Sequence, residues 1–391
     1  MRLDPTQPAA PEPSPEPAPA AGPGQDAVLR DAAAARGTLV LLSLGHRMDE
    51  TAGPPPPGEP QPHWREVARM VGADIASFST ASARRGPLFA RLFASRPVWG
   101  SAASAALDAA RYGRVYALDE DVGLRAALLL AARGWKGRFV LLVHHLSPRR
   151  RRLVRLLAGR PITHFLTYAA AQRSALVAAG VPPGWTSCVP IPADAGFFRP
   201  AARAPGRARL VAVGAADRDY STLLAAAPMI DAEIEIFGHG YSGPDAARLA
   251  GQALPANVRL MPHLPVAAFR DRIASADAAV LPLRPVAYAA GATALVEAMA
   301  CGLPVVATAI AGLAGYLSAG RPGPVFAPGD AGGLAAAATR LIAERALARS
   351  IGAGNRAWVE RHATVERLSC HVANLLLGTA GGVDWLGETA P

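Results

Sequence analysis

From residue 38 onward, short apolar runs alternate with longer, alanine-rich stretches. The runs are TLVLLSL (38–44), ADIASFS (73–79), RVYALD (114–119), FVLLVHH (139–145), THFLTY (163–168) and TSCVPIP (186–192). Each is about strand length, and several are apolar on both faces, as strands are when helices cover both sides of their sheet. Between them, Trp64–Val71, Gly123–Arg133 and Ala169–Ala179 carry helical patterns. Strands alternating with helices predict right-handed crossovers and a parallel α/β sheet.

The alternation pauses at ADAGFFRPAARAPGRAR (193–209), rich in Pro, Gly and Arg, and then restarts. The second series is RLVAVG (209–214), EIEIFG (233–238), VRLMPHL (258–264), AAVLPL (278–283), PVVATAI (304–310) and PVFAP (324–328). Two such series predict two Rossmann-like, doubly wound domains facing across a cleft, where such sheets bind ligands. The halves share no sequence, so the architecture repeats and the sequence does not. The boundaries expected are 31–195 and 196–360. Residues 1–30, Pro/Ala-rich and without periodicity, read as a disordered arm. A last helical stretch over about 335–377 carries Trp358 and Leu375–Leu377; the segment 361–391 is expected to pack back toward the first domain and end in a tail.

Composition agrees. The 391 residues are 51% hydrophobic and 18% charged, enough apolar material for two cores and too much for wholesale disorder. No apolar run approaches the roughly 18–20 residues that span a bilayer; the longest, GLRAALLLAARG, is broken by Arg125. The N-terminal residues lack an apolar signal core. The expectation is a cytoplasmic protein, free or peripheral at the inner face of the cell membrane. Cys188, Cys301 and Cys370 are too scattered for a disulfide framework or a thiolate metal site, and no other metal-ligand cluster stands out. The net charge of +10 rests on arginine, since Lys136 is the only lysine. Its one concentration, Arg149, Arg150, Arg151 and Arg152, suits a nucleic acid, an anionic membrane surface or a phosphorylated acceptor, or simply a solvated helix start. No nucleic-acid-binding module accompanies it, and no nucleic-acid partner is expected.

The strongest chemical signal is YAAGATALVEAMACGLPVVAT (288–308). A small, flexible loop precedes a helix from about Ala292 to Cys301, which Gly302 ends and Pro304 keeps from continuing. Gly291, Ala292 and Thr293 place unpaired N–H groups and a positive dipole end beside a glycine, which is how a pyrophosphate is held. Glu297, a turn further in, is placed to accept hydrogen bonds from ribose hydroxyls. A surface helix with incidental Gly and Glu is the plainer alternative.

These residues resemble the donor-site motif of group 1, family 4-like glycosyltransferases of the GT-B fold, which reads roughly G-x-x-x-x-E-A-M-A-x-G-x-P-V-V-A-T. The segments 180–200, with its Asp-x-x-x-Phe-x-Pro turn, 210–226, 257–283 and 324–342 are similar to family segments in the same order. The resemblance implies a GT-B fold and transfer of a sugar from a UDP- or GDP-sugar to a glycan or lipid-linked acceptor, as in polysaccharide biosynthesis. It implies no bound cofactor or metal, and retention of configuration. Glu297 would hold the ribose, Gly291 and its neighbours the diphosphate, and Arg218 would stabilise the charge of the departing diphosphate. Two departures stand out: no lysine accompanies Arg218, and Ala289 occupies the position of a glutamate that contacts the sugar in many members. A non-catalytic nucleotide-sugar-binding or scaffold protein is the alternative these departures support.

In the first half, FVLLVHHLSPRR ends a strand at His144 and His145, where related enzymes often place a sugar contact or base. An imidazole there suits sharing the acceptor proton; strand alternation allows only one of the pair to face the cleft. Asp119, Glu120 and Asp121 end another strand as candidate acceptor ligands or base, or as helix caps. Gly45-His46-Arg47 opens a Pro-rich loop (Pro54–Pro57) expected near the donor, with Gly45 as a donor contact. The segment 238–243, GHGYSG, formally fits a dinucleotide fingerprint but lacks the acidic residue expected some 20 positions later.

Overall fold

The computed structural model describes residues 36–42, 54–203, 206–238, 253–317 and 321–387. Gly45 and most of 238–243 lie outside them. Two six-stranded, all-parallel sheets form. The first has the order β2-β1-β3-β4-β5-β6, from β1 (Gly37–Leu41), β2 (Ala73–Ala76), β3 (Tyr112–Ala117), β4 (Arg138–Val143), β5 (Ile162–Thr167) and β6 (Thr186–Cys188). The second has β12-β11-β10-β7-β8-β9, from β7 (Arg209–Val213), β8 (Glu233–Phe237), β9 (Val258–Leu260), β10 (Ala278–Leu281), β11 (Val305–Thr308) and β12 (Val325–Phe326). All twelve apolar runs thus contribute strands; the interior ones are buried on both faces, while the edge strands β2, β9 and β12 keep exposed positions.

The first sheet is wrapped by α1 (His63–Val71) on one face. On the other lie α4 (Pro97–Leu107), α5 (Glu120–Ala132), α6 (Pro148–Leu157) and α7 (Ala170–Ala178), closing a core around Leu39, Phe139 and Phe165. One run is corrected. ADIASFS is a strand only to Ala76, and Phe78–Arg85 is helix α2, followed by α3 (Pro87–Phe93). Ser77 turns the chain: its hydroxyl accepts from the N–H groups of Ser79 and Thr80, while Thr80 Oγ1 accepts from Ser77 N at 2.8 Å, a reciprocal capping box. That local cap outweighs the apolar run.

The second sheet carries α8 (Tyr220–Ala226), α9 (Val266–Ala274), α10 (Ala292–Ala300) and α11 (Ala331–Ala343), and then α12 (Arg345–His362). The final helix, α13 (Val365–Leu377), crosses back: Leu368, Val372, Leu375 and Leu376 bury against Val40, Trp64 and Val140 of the first domain. Between the domains, Asp194 accepts from Gly196 N (3.0 Å), Phe197 N (2.9 Å) and, from the first domain, Gln61 N (2.8 Å). Tyr316 of the second domain donates to Tyr168 O (3.0 Å) and accepts from Ile191 N (2.9 Å). Among the described residues no helix is long and apolar enough to cross a membrane.

α13 is pinned through a buried polar chain. Ser187 Oγ lies 2.8 Å from His164 Nε2 and 3.0 Å from His371 Nε2. Burial, reinforced by the neighbouring positive groups, holds both imidazoles below their ordinary pKa. The unfolded chain therefore binds protons that the folded chain refuses, so stability is full above pH about 6.5 and is lost progressively as the pH falls. The expected result is a Tm that drops steadily between pH 7 and 4. In His371→Gln the drop should be shallower, even if the neutral-pH Tm is lower; an unchanged slope would assign the acid sensitivity elsewhere.

Candidate active site

In the second sheet the strand order reverses between β7 and β10, so their C-terminal ends open a crevice there, the place where doubly wound sheets bind ligands. A cavity of about 590 Å³ occupies it. The exit of β7 contributes Val213, Gly214, Asp217 and Arg218, the loop after β10 contributes Tyr288–Gly291, and α10 contributes Thr293, Ala294 and Glu297.

Gly291 precedes α10 at φ +75°, a left-handed conformation that side chains disfavour. No side chain caps the helix; Ala292 N donates to Ala289 O (3.2 Å), which leaves the amides of the next first-turn residues, Thr293 and Ala294, at the cavity for an anion. Arg218 fills the space behind them and is only 5% exposed. Its Nε donates to Val213 O (2.7 Å) and its Nη1 to Ala216 O (2.8 Å). Two glycines make room: a Cβ on Gly214 would stand 2.2 Å from Nη2, and one on Gly291 3.3 Å from Nη1. Burial lowers the Arg218 pKa from its ordinary, strongly basic value, and the guanidinium keeps its charge. A fixed cation thus stands beside a helix N-terminus, preorganised for a diphosphate.

Glu297 lies one turn along α10 at the cavity wall, and its carboxyl has no hydrogen-bond partner among the described residues. Burial pushes its pKa up to about 8, so without a ligand's donors it is mostly protonated at neutral pH. A half-buried acid open to a cavity, with no side-chain partner among the described residues, can accept a ligand's donors.

A second cavity of about 690 Å³ lies on the first-domain side, lined by His63, His144, His145, Tyr168, Gln172 and Ile191. The two share Tyr288, Ala289 and Thr293 as a common wall. Both histidines line this cavity, correcting the expectation that only one could. β4 ends at Val143, so the pair sits in the turn beyond it, where strand alternation no longer applies. His144 Nε2 donates to Leu118 O (3.0 Å), which ties its ring back. The His145 ring stands edge-on to Tyr288, 5.8 Å between centroids, across the domain boundary.

Glu120, expected among the catalytic groups, lies beneath the turn. Its oxygens accept from His144 N (2.9 Å), His145 N (3.1 Å) and Arg150 Nη1 (2.8 Å). Those bonds leave it holding the histidine turn in place. Asp119 caps α5 through Val122 N (2.8 Å). Arg150, expected in the basic patch, is likewise spent on Glu120 and Asp121, whereas Arg149, Arg151 and Arg152 are exposed. Of the Pro-rich loop, Pro60 reaches the wall of the first cavity.

Sequence reasoning missed two residues. Asp217, at φ +55°, accepts a hydrogen bond from the Tyr288 hydroxyl and so fixes the ring between the two cavities. Both adjoin named positions, Arg218 and Ala289, but no spacing pairs residues 71 apart. Among the described residues no group of three or more His, Cys, Asp or Glu side chains stands where it would hold a metal ion.

Residues 207–344, which contain the first cavity's strand exits and α10, match the family model for glycosyl transferases group 1. That match lies wholly within the second domain. A search of curated proteins returned no match. Among solved structures, the chain is similar to Anabaena Alr3699/HepE in complex with UDP, at 15% identity and a TM-score of 0.64, covering 88% of this chain and 100% of that one. It is also similar to the sucrose-phosphate synthase of Thermosynechococcus elongatus (17%, TM-score 0.64, covering 87% and 98%). A third is the E. coli trehalose-6-phosphate structure bound with UDP-2-fluoro glucose (13%, TM-score 0.62, covering 87% and 99%). At such identities the likeness is one of fold, and the fold is GT-B: two Rossmann-like α/β domains.

Proposed function

We propose that the protein moves a sugar from a nucleoside-diphosphate sugar to an acceptor hydroxyl. The observation that carries this is the joined pair of cavities: Arg218, the α10 N-terminus and Glu297 on one side, His144 and His145 on the other, with Tyr288 and Ala289 between. The nucleotide's ribose lies on Glu297, its diphosphate at Thr293, Ala294 and Arg218, and its sugar at the shared wall. The acceptor hydroxyl forms a bond to the anomeric carbon as the bond from that carbon to the phosphate oxygen breaks. The electron pair leaves with the diphosphate, whose charge Arg218 and the helix N-terminus meet without a metal ion. The acceptor proton passes to the departing phosphate oxygen on the same face, the retaining course, with His145 as its relay. UDP is the favoured nucleotide, since the Anabaena and E. coli structures carry UDP or a UDP-sugar, with GDP as the alternative. A glycan or a lipid-linked intermediate is the acceptor class.

His145→Ala should lower transfer at least 10²-fold, in the range for loss of a positioned proton-transfer group, while the UDP-induced rise in Tm stays within error. Loss of the Tm shift itself would place His145 in nucleotide binding. Ala289 favours a second reading, a nucleotide-sugar-binding protein without transfer, because no carboxylate stands at the shared wall. Binding of a nucleotide sugar with neither hydrolysis nor transfer across an acceptor panel would select it.

A further inference from the structure

The charge of this chain is concentrated in one domain. Residues 75–193 hold seventeen basic and four acidic residues, a surplus larger than the +10 of the whole chain. All four acids are already engaged. Asp108 pairs with Arg84 and Arg85, Asp119 caps α5, and Glu120 and Asp121 pair with Arg150. That leaves Arg91, Arg96, Arg149, Arg151, Arg152 and Arg155 exposed, with no ion pair among the described residues.

Leucines protrude among these arginines. α3, PLFARLF, buries none of its residues. Its two phenylalanines stack on each other at 4.9 Å, and Phe93 packs beside Gly100 of α4, so they face the protein. Leu88 and Leu92, four residues apart and therefore on one helix face, are 81% and 71% exposed. On α6, Leu156 is 70% exposed beside Arg152 and Arg155. α3 packs on α4, and α4, α5 and α6 lie side by side, so both patches belong to the helix layer over one face of the first sheet.

We infer that this helix layer docks on an anionic lipid bilayer, with Leu88, Leu92 and Leu156 entering the interface and the free arginines holding lipid phosphates. An apolar tip ringed by unpaired cations matches a headgroup boundary, where hydrocarbon and phosphate lie within one side-chain length. A nucleic acid would use the arginines but offer the leucines nothing. A second copy of the chain would bring two strongly positive faces together, which repel. α6 begins at Pro148, three residues after His145, so the docked layer adjoins the acceptor-side cavity. The inference stands apart from the nucleotide reading; joined to it, it selects an acceptor carried on a lipid.

The test is flotation of the full chain with phosphatidylcholine vesicles, with and without phosphatidylglycerol. The wild type should float only with the anionic vesicles and be released by high salt. Leu88→Ser/Leu92→Ser and, separately, Arg91→Gln/Arg96→Gln should each weaken partition at least tenfold. Both should keep the wild-type response of Tm to UDP, which reports an intact fold and donor cavity. Should the leucine pair fail to fold, Leu156→Ser carries the same expectation. Absence of wild-type flotation, equal flotation on neutral vesicles, or full flotation of the folded leucine variant would overturn the inference. So would single-stranded RNA that strips the wild type from vesicles and binds the leucine variant equally well. A dimer in solution that the leucine changes dissociate would overturn it too.

Discussion

Glu297→Ala should abolish the rise in Tm that UDP or GDP gives the wild-type protein. A ligand at a hundred times its Kd stabilises a fold by about 2.7 kcal/mol, a shift of several degrees for a domain of this size. On the proposed reading the carboxyl meets the ribose, and among the described residues it has no side-chain hydrogen-bond partner to compete with a ligand. Its raised pKa, about 8, gives the prediction a pH signature. The ribose hydroxyls donate best to the ionised form, so nucleotide affinity should strengthen as pH rises through about 8, and binding at pH 7 should release close to one proton. Calorimetry in buffers of different ionisation enthalpy measures that release.

In the empty protein the sign is reversed. A carboxyl whose folded pKa lies above its unfolded value of 4.5 contributes stability that is full below 4.5 and is lost as pH rises through 8. Glu297→Gln, neutral at every pH, should therefore leave the empty protein more stable than wild type at pH 9 while weakening nucleotide binding. A variant less stable than wild type at pH 9 would show that the carboxyl serves the fold and not a ligand.

Arg218→Ala should lower transfer by 10²–10³-fold, the scale on which removal of one preorganised stabilising group acts. The side chain also holds the β7 exit loop, so its loss leaves the Val213 and Ala216 carbonyls without their donor, at roughly 1–3 kcal/mol for each buried group. Arg218→Lys separates the two effects. It restores a charge but cannot bond both carbonyls and face the diphosphate at once, so Tm should partly recover while kcat stays at least tenfold low. Full activity in Arg218→Lys would mean that charge alone suffices. Wild-type kcat in Arg218→Ala would place the leaving-group contact on the helix N-terminus.

How much of this was legible in advance depends on how local each determinant is. Gly291 and Glu297 could be read from sequence because glycine, helix start and carboxylate fall within seven residues. Arg218 could be named, but its burial between Gly214 and Gly291 could not, since that packing joins two strand exits some 70 residues apart. Glu120 was misplaced for the same reason: only the folded domain shows its oxygens taken by the N–H groups of His144 and His145 and by Arg150. The Ser77 capping box was local and present in the sequence, yet the apolar run masked it.

The sequence by itself determined the two doubly wound sheets, the break between them and the glycine-led start of α10. Strand and helix periods, glycine turns and helix ends act over a few residues, and each can be read where it stands. Tertiary structure alone decided that the two cavities share the wall at Tyr288 and Ala289. It also decided that Asp217 fixes Tyr288 against His145, and which side chains of the first domain, Val40, Trp64 and Val140 among them, α13 buries against. Those contacts join residues brought near only when strand order and domain orientation are set, and no pattern along a chain encodes the distance between two surfaces it has not yet folded.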